Sequence, residues 1–157
     1  MQKDRRIRTA MVIDADIHHG NGTAAIFESD PSVFTLSIHQ YGKYPSFKPP
    51  SNLDIYLEDG VGDEEYLKRL PEGCGQALAG FSPDIAIYVA GADPYRDDQL
   101  GGLKLTMEGL IARDRFIFEL LRESKIPVAV TLAGGYARNV EDTITIHVNT
   151  VKAAASL

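Results

Sequence analysis

Two kinds of apolar pattern alternate along this chain. Short unbroken runs (Ala10-Met11-Val12-Ile13, Val33-Phe34-Thr35-Leu36-Ser37-Ile38, Ile85-Ala86-Ile87-Tyr88-Val89-Ala90, and 127–132) have the length and β-branched content of buried strands. Longer stretches between them space their apolar residues as helices do. The pattern predicts strands over 8–14, 33–38, 53–57, 84–90 and 127–132. It predicts helices over 24–29, 63–79, about 106–124, and from about 139 to the end. Thr23 is the expected cap of the first helix and Thr106 opens the third. Pro71 and Gly73 interrupt the second, and Thr143, Ile144, Thr145, Ile146 and Val148 are poor helix formers in the fourth. On the third helix, Met107, Leu110, Ile111, Phe116, Ile117, Leu120 and Leu121 are the expected buried side. Residues 40–52, with three prolines and no apolar period, read as a surface loop.

Strands that are apolar throughout and alternate with helices define an α/β fold: a parallel sheet flanked by helices on both faces. Function in such sheets collects at the carboxyl ends of the strands. Three of those ends carry unusual residues, Asp14-Ala15-Asp16-Ile17-His18-His19-Gly20, Gly91-Ala92-Asp93 and Gly134-Gly135-Tyr136, and one rim is expected to gather them.

Asp16 and His18 lie two apart, so on extended backbone both point to one side. A carboxylate and an imidazole converging at a strand end make half of a divalent metal site, with donors suited to zinc. The plainer reading is a polar strand end capping the next helix, but two acids, two histidines and a glycine within seven residues favour metal. Asp93 is either the third ligand or an Asx turn before Pro94; beside the first motif, ligation is favoured. Two carboxylates and an imidazole leave a position for water. Tyr136, after two glycines, either packs on the last helix or donates from its hydroxyl to an oxyanion near the metal.

Composition narrows the classes. The 157 residues suffice for one domain, and 44% hydrophobic with 24% charged residues is ordinary for a soluble globular protein. A net charge of −6 argues against nucleic acid or an anionic membrane as partner, and no apolar run is long enough to span a bilayer. The single cysteine, Cys74, excludes an intrachain disulfide and fits a reducing, cytoplasmic setting. It reads as a packed or surface helix residue. The basic N-terminus is followed by a strand, so it is not read as a secretion signal. The first core strand comes within about ten residues of the start and the last helix has no stop signal, so the chain is expected to be part of a longer protein or to need a partner to finish its sheet.

The segment 12–23 resembles the zinc-binding segment of the histone deacetylase superfamily, which includes bacterial acetoin-utilisation and acetylpolyamine amidohydrolase proteins. Gly91-Ala92-Asp93, followed by residues 97–106, resembles that family's second metal segment, and Gly134-Gly135-Tyr136 its catalytic tyrosine turn. All three occur in the family's order and spacing, over nearly the whole chain. The resemblance implies an arginase/deacetylase-like fold, with zinc held by Asp16, His18 and Asp93 (iron(II) suits the same donors). It implies a catalytic role for Tyr136, and a structural potassium ion near Asp14, held partly by backbone carbonyls and by Ser37. It also implies metal-assisted hydrolysis of an N-acetyl amide, in acetyl-lysine or a small molecule such as an acetylpolyamine. Asn21, where one branch has aspartate, looks like the class II and bacterial branch.

Two departures stand out. The family's general base belongs to a His-His pair upstream of the zinc segment, and none of the four histidines (18, 19, 39 and 147) precedes residue 18. His19 is not the base in the family motif, His39 is placed at the rim without a catalytic role, and His147 reads as structural. Residues 1–157 are therefore expected to be a single partial domain, the C-terminal half, incomplete at its N-terminal side. It should turn over weakly or not at all alone, and either self-associate or pair with the missing half. The loop after the second strand also lacks the family's glycine-rich stretch; Tyr44 is its candidate for the substrate tunnel wall, together with Leu100. Two alternatives stay open: a non-catalytic metal-binding or assembly fragment, and a binuclear hydrolase of arginase type drawing on Asp14, Asp97 and Asp98.

Overall fold

The computed structural model describes residues 1–156. They form five strands and four helices, alternating except where β3 follows β2 directly: β1 (Ala10–Asp14), α1 (Asn21–Phe27), β2 (Val33–Gln40), β3 (Leu53–Leu57), α2 (Asp63–Gly80), β4 (Ile85–Gly91), α3 (Met107–Glu123), β5 (Val128–Ala133) and α4 (Val140–Ala155). The end of the predicted last helix, Leu157, lies outside the described residues. All strand pairs are parallel, in the order β3-β2-β1-β4-β5. The expected α/β sheet with flanking helices is the fold observed.

The strands differ in how fully they are covered. β1 and β2 are buried nearly throughout, as the unbroken apolar runs require. β4 alternates: Ala86, Tyr88 and Ala90 are buried, while Ile87 on the opposite face is exposed. In outermost β5 all of Ala129, Val130, Thr131 and Leu132 are exposed, so this end of the sheet is open on both faces and along its edge. On α4, Val140, Ile144, Val148 and Val151 are exposed at helical spacing, forming an uncovered apolar stripe.

Most predicted boundaries shift by one or two residues. The first helix departs more. It begins at Asn21 with Gly20 as its N-cap residue, so Thr23 lies inside it rather than capping it. α2 runs continuously through Pro71. Its Gly73 lies so close to β3 that a Cβ there would strike Ile55, and that close packing holds the helix on the sheet despite the proline. α3 is capped by Thr106, whose hydroxyl accepts from Gly109 N at 3.0 Å. Its buried stripe differs from the expectation: Leu110, Arg113, Asp114, Ile117, Phe118 and Leu121 are buried, whereas Met107, Ile111, Phe116 and Leu120 are only partly so. α4 forms despite its β-branched run, because Asn139 caps Glu141 N and Thr150 Oγ1 anchors it to Asp114 at 2.6 Å.

Candidate metal centre

Strand register builds the rim. Asp14, the last residue of β1, pairs with Ser37 of β2 and Val89 of β4, while Gly91 of β4 pairs with Ala133 of β5. Pairing continues one step beyond the strands, where Ala92 N donates to Gly134 O at 2.7 Å. The three motif-bearing ends therefore leave the sheet side by side.

Asp16, His18 and Asp93 converge there as a possible metal-ligand group. His18 Nδ1 lies 3.1 Å from Asp16 Oδ1 and 3.3 Å from Asp93 Oδ2. Asp93 is completely buried; its Oδ1 accepts from Ile17 N at 2.9 Å, fastening it to the β1 segment rather than to a turn of its own. Apart from the His18 imidazole, its Oδ2 has no hydrogen-bond partner. Glycines make room for the group: a Cβ on Gly134 would fall on Asp93 Oδ2, and one on Gly91 would crowd the Asp16 backbone. Hydrogen bonds that the imidazole donates to Asp16 and then to Asp93 push the His18 pKa up to about 10. Burial pushes Asp93 up to about 6, while the His18 hydrogen bonds outweigh burial at Asp16 and hold its carboxyl below the usual range. Two carboxylates closing on one imidazole, with a buried carboxylate oxygen that only that imidazole meets, are a donor set that a divalent cation fits.

Asp14 lies just behind. Its Oδ1 accepts from Asp16 N at 3.1 Å, and burial pushes its carboxyl up to about 7. Ser37, its cross-strand neighbour, has its Oγ 2.9 Å from His39 Nδ1. An open cleft of about 510 Å³ is lined by His18, Lys43, Tyr44, Leu100 and Tyr136. Tyr44 meets His18 edge-on, with ring centroids 6.4 Å apart. The Tyr136 ring is half exposed, but its backbone is held: its N–H donates to Asp98 Oδ2 at 2.6 Å and its carbonyl accepts from Gln99 N at 3.1 Å. Asp98 also accepts from Leu100 N and Gly101 N, so one carboxylate joins the second metal segment to the tyrosine turn. Neither Asp98 nor Asp97, which pairs with Arg96, enters the donor group, as a binuclear site would require.

Sequence reasoning overlooked two features. Arg113, fully buried, donates from Nη1 to Gly91 O at 2.7 Å and Ala15 O at 3.3 Å, clamping the backbone just before Ala92-Asp93 and Asp16. Asp114 balances it, with Oδ1 2.9 Å from both Arg113 Nε and Nη2. Positions 110, 113, 114, 117, 118 and 121 form one helical stripe, so spacing was the available signal. The second is a separate group of His19, His39 and Asp54.

The architecture and the rim define an α/β protein with a candidate divalent-cation centre at the carboxyl ends of its strands. Residues 1–151 match the histone deacetylase domain, and the chain belongs to that family. It is 39% identical over 137 residues to an uncharacterized protein of Picosynechococcus sp., covering 87% of this chain and 46% of that one. It is 35% identical over 146 residues to histone deacetylase 2 of Arabidopsis thaliana, covering 88% and 38%. The HDA15 HD domain superposes with a TM-score of 0.82 at 26% identity, covering 98% of this chain and 46% of that one. An acetylpolyamine aminohydrolase from Burkholderia pseudomallei shares the fold, with a TM-score of 0.82 at 23% identity over 98% and 47% of the two chains. The chain thus spans about half the length of these relatives or less.

Proposed function

We propose that this chain is the metal-holding half of a zinc-dependent deacetylase domain acting on N-acetyl amides, acetyl-lysine or an acetylpolyamine. The supporting observation is the convergence of Asp16, His18 and Asp93 beside a cleft that His18 and Tyr136 line together. These three residues hold the ion; zinc suits the donors best and iron(II) also fits. When bound, such an ion supplies a Lewis acid and a water of lowered pKa. The Tyr136 hydroxyl donates a hydrogen bond to the substrate carbonyl oxygen as its carbon becomes tetrahedral. Tyr44 and Leu100 flank the acyl group, and Asp14 with Ser37 holds a structural potassium ion behind the rim.

A proton acceptor is the missing part. His18 is a ligand, His19 and His39 face Asp54, and His147 sits on α4. The base therefore comes from the part of the domain that the relatives carry outside the matched span. That part docks on the open edge of β5 and the apolar stripe of α4. The buried single thiol suits a reducing compartment such as the cytoplasm.

Zinc binding and turnover test this together. Asp16→Asn or Asp93→Asn should each remove one equivalent of bound zinc. The chain alone should hydrolyse an acetyl-lysine reporter weakly or not at all, and fusion behind the N-terminal part of the Picosynechococcus relative should restore turnover. Tyr136→Phe in that fusion should lose turnover and keep zinc. Full activity of the isolated chain would overturn the half-domain reading, and unchanged zinc binding in both Asp variants would overturn the site. Light scattering separates docking of the other half from self-association through the same surface.

A further inference from the structure

A second convergence of metal-type donors lies next to the first, sharing the segment after β1 and adding β2 and β3. His19 follows β1, His39 lies on β2 and Asp54 on β3, so three chain segments meet at one point. We propose that His19, His39 and Asp54 form a second, structural site for a divalent transition metal, distinct from the Asp16–His18–Asp93 group.

Geometry supplies the argument. His19 Nε2 lies 3.2 Å from Asp54 Oδ1, close to the ~3.4 Å that separates two tetrahedral ligands about 2.1 Å from a common ion. Apart from this His19 contact, Asp54 Oδ1 has no hydrogen-bond partner. His39 is completely buried and its Nε2 is also unpartnered, although a buried polar nitrogen left alone costs free energy. The other ring nitrogen, Nδ1, is engaged by Ser37 Oγ at 2.9 Å, the outer contact that orients a ligating imidazole and leaves Nε2 as the donor. The two imidazoles meet edge-on at 4.6 Å between centroids. Asp54 is oriented in turn: Oδ2 accepts from Ser51 N at 3.0 Å and from Tyr56 OH at 3.4 Å.

The donors set the metal class. Two imidazoles and one carboxylate select zinc or a neighbouring first-row ion over calcium or magnesium, which prefer all-oxygen sites. Ser51 Oγ, 3.4 Å from His19 Nε2, faces the remaining position. Burial of His39 and of the His19 side chain leaves no room for a substrate, so the site is structural. Its ion pins β2 and β3 to the segment between β1 and α1, and so steadies the backbone that carries Asp16 and His18.

Metal stoichiometry decides the matter, by equilibrium dialysis of the whole chain against zinc chloride and by the visible spectrum with cobalt(II). Asp16→Asn/Asp93→Asn disables the first group and should retain one equivalent of zinc, with cobalt bands of four-coordinate intensity. Adding His39→Gln or Asp54→Asn to that background should abolish the remaining equivalent, and His147→Asn should leave it. Far-UV circular dichroism checks folding. Should His39→Gln unfold, the less buried Asp54→Asn decides, and in the otherwise unaltered chain it should lower the count from two to one. No zinc bound by the Asp16→Asn/Asp93→Asn chain, or zinc retained after both further substitutions, overturns the proposal without touching the first site.

Discussion

Arg113 Nη1 donates to the carbonyl oxygen of Gly91 at 2.7 Å, tying the buried stripe of α3 to the backbone that presents Asp93. The guanidinium is fully buried with Asp114 as its counter-charge, and Asp114 in turn accepts from Tyr88 OH and Thr150 Oγ1. One ion pair therefore joins β4, α3 and α4 beneath the candidate metal rim.

Arg113→Met is expected to cost about 3–5 kcal/mol, because it strands the Asp114 charge in the core. Arg113→Met/Asp114→Asn should cost less than the sum of the two single changes. Urea unfolding of the four chains measures this; strict additivity would show that the two side chains act independently.

Gly134→Ala should abolish zinc binding at the first group while the fold persists, since the added methyl falls on Asp93 Oδ2. Gly22→Ala, where a Cβ meets nothing within 4 Å, is the matched control. Calorimetric zinc titration of both chains provides the comparison, and equal affinity would refute the close approach.

Asp98→Ala leaves the N–H groups of Leu100, Gly101 and Tyr136 without their acceptor. A loss of about 1–3 kcal/mol is expected. Hydrogen exchange at the Tyr136 amide should accelerate far more than exchange within β1. Unchanged protection there would mean that the tyrosine turn is held by other contacts.

Cys74 is buried, and burial pushes its thiol from 9.0 up to about 12. A group whose folded pKa lies above its unfolded value contributes stability that is complete below the unfolded pKa and lost as pH rises through the folded one. The urea midpoint should therefore fall from about pH 9 toward 12, and fall less steeply in Cys74→Ala. Native chain should resist a thiol reagent at pH 8 that labels it fully in urea; rapid native labelling would contradict the burial.

The strands and the pairing of Asp16 with His18 on one side of the chain were readable because both depend on neighbours in sequence. Asp16 and His18 share a side through the two-residue period of extended chain, and unbroken apolar runs mark β1, β2 and β4. Arg113 and Asp114 escaped notice because charged residues on an amphipathic helix are normally assigned to its wet face; only the stripe spacing places them inside. Asp54 could not be linked to His19 and His39 without the register that pairs Tyr56 with His39, which is a tertiary fact. The start of α1 was missed because Gly20 caps it without a side chain, so the hydroxyl of Thr23 was a false signal.

Val140, Ile144, Val148 and Val151 set how the isolated polypeptide responds to temperature and cosolvent. The attraction between wetted aliphatic groups weakens on cooling and strengthens in sulfate. Chilled, dilute, sulfate-free buffer should keep the molecules apart, whereas warming should draw them together well below any melting transition.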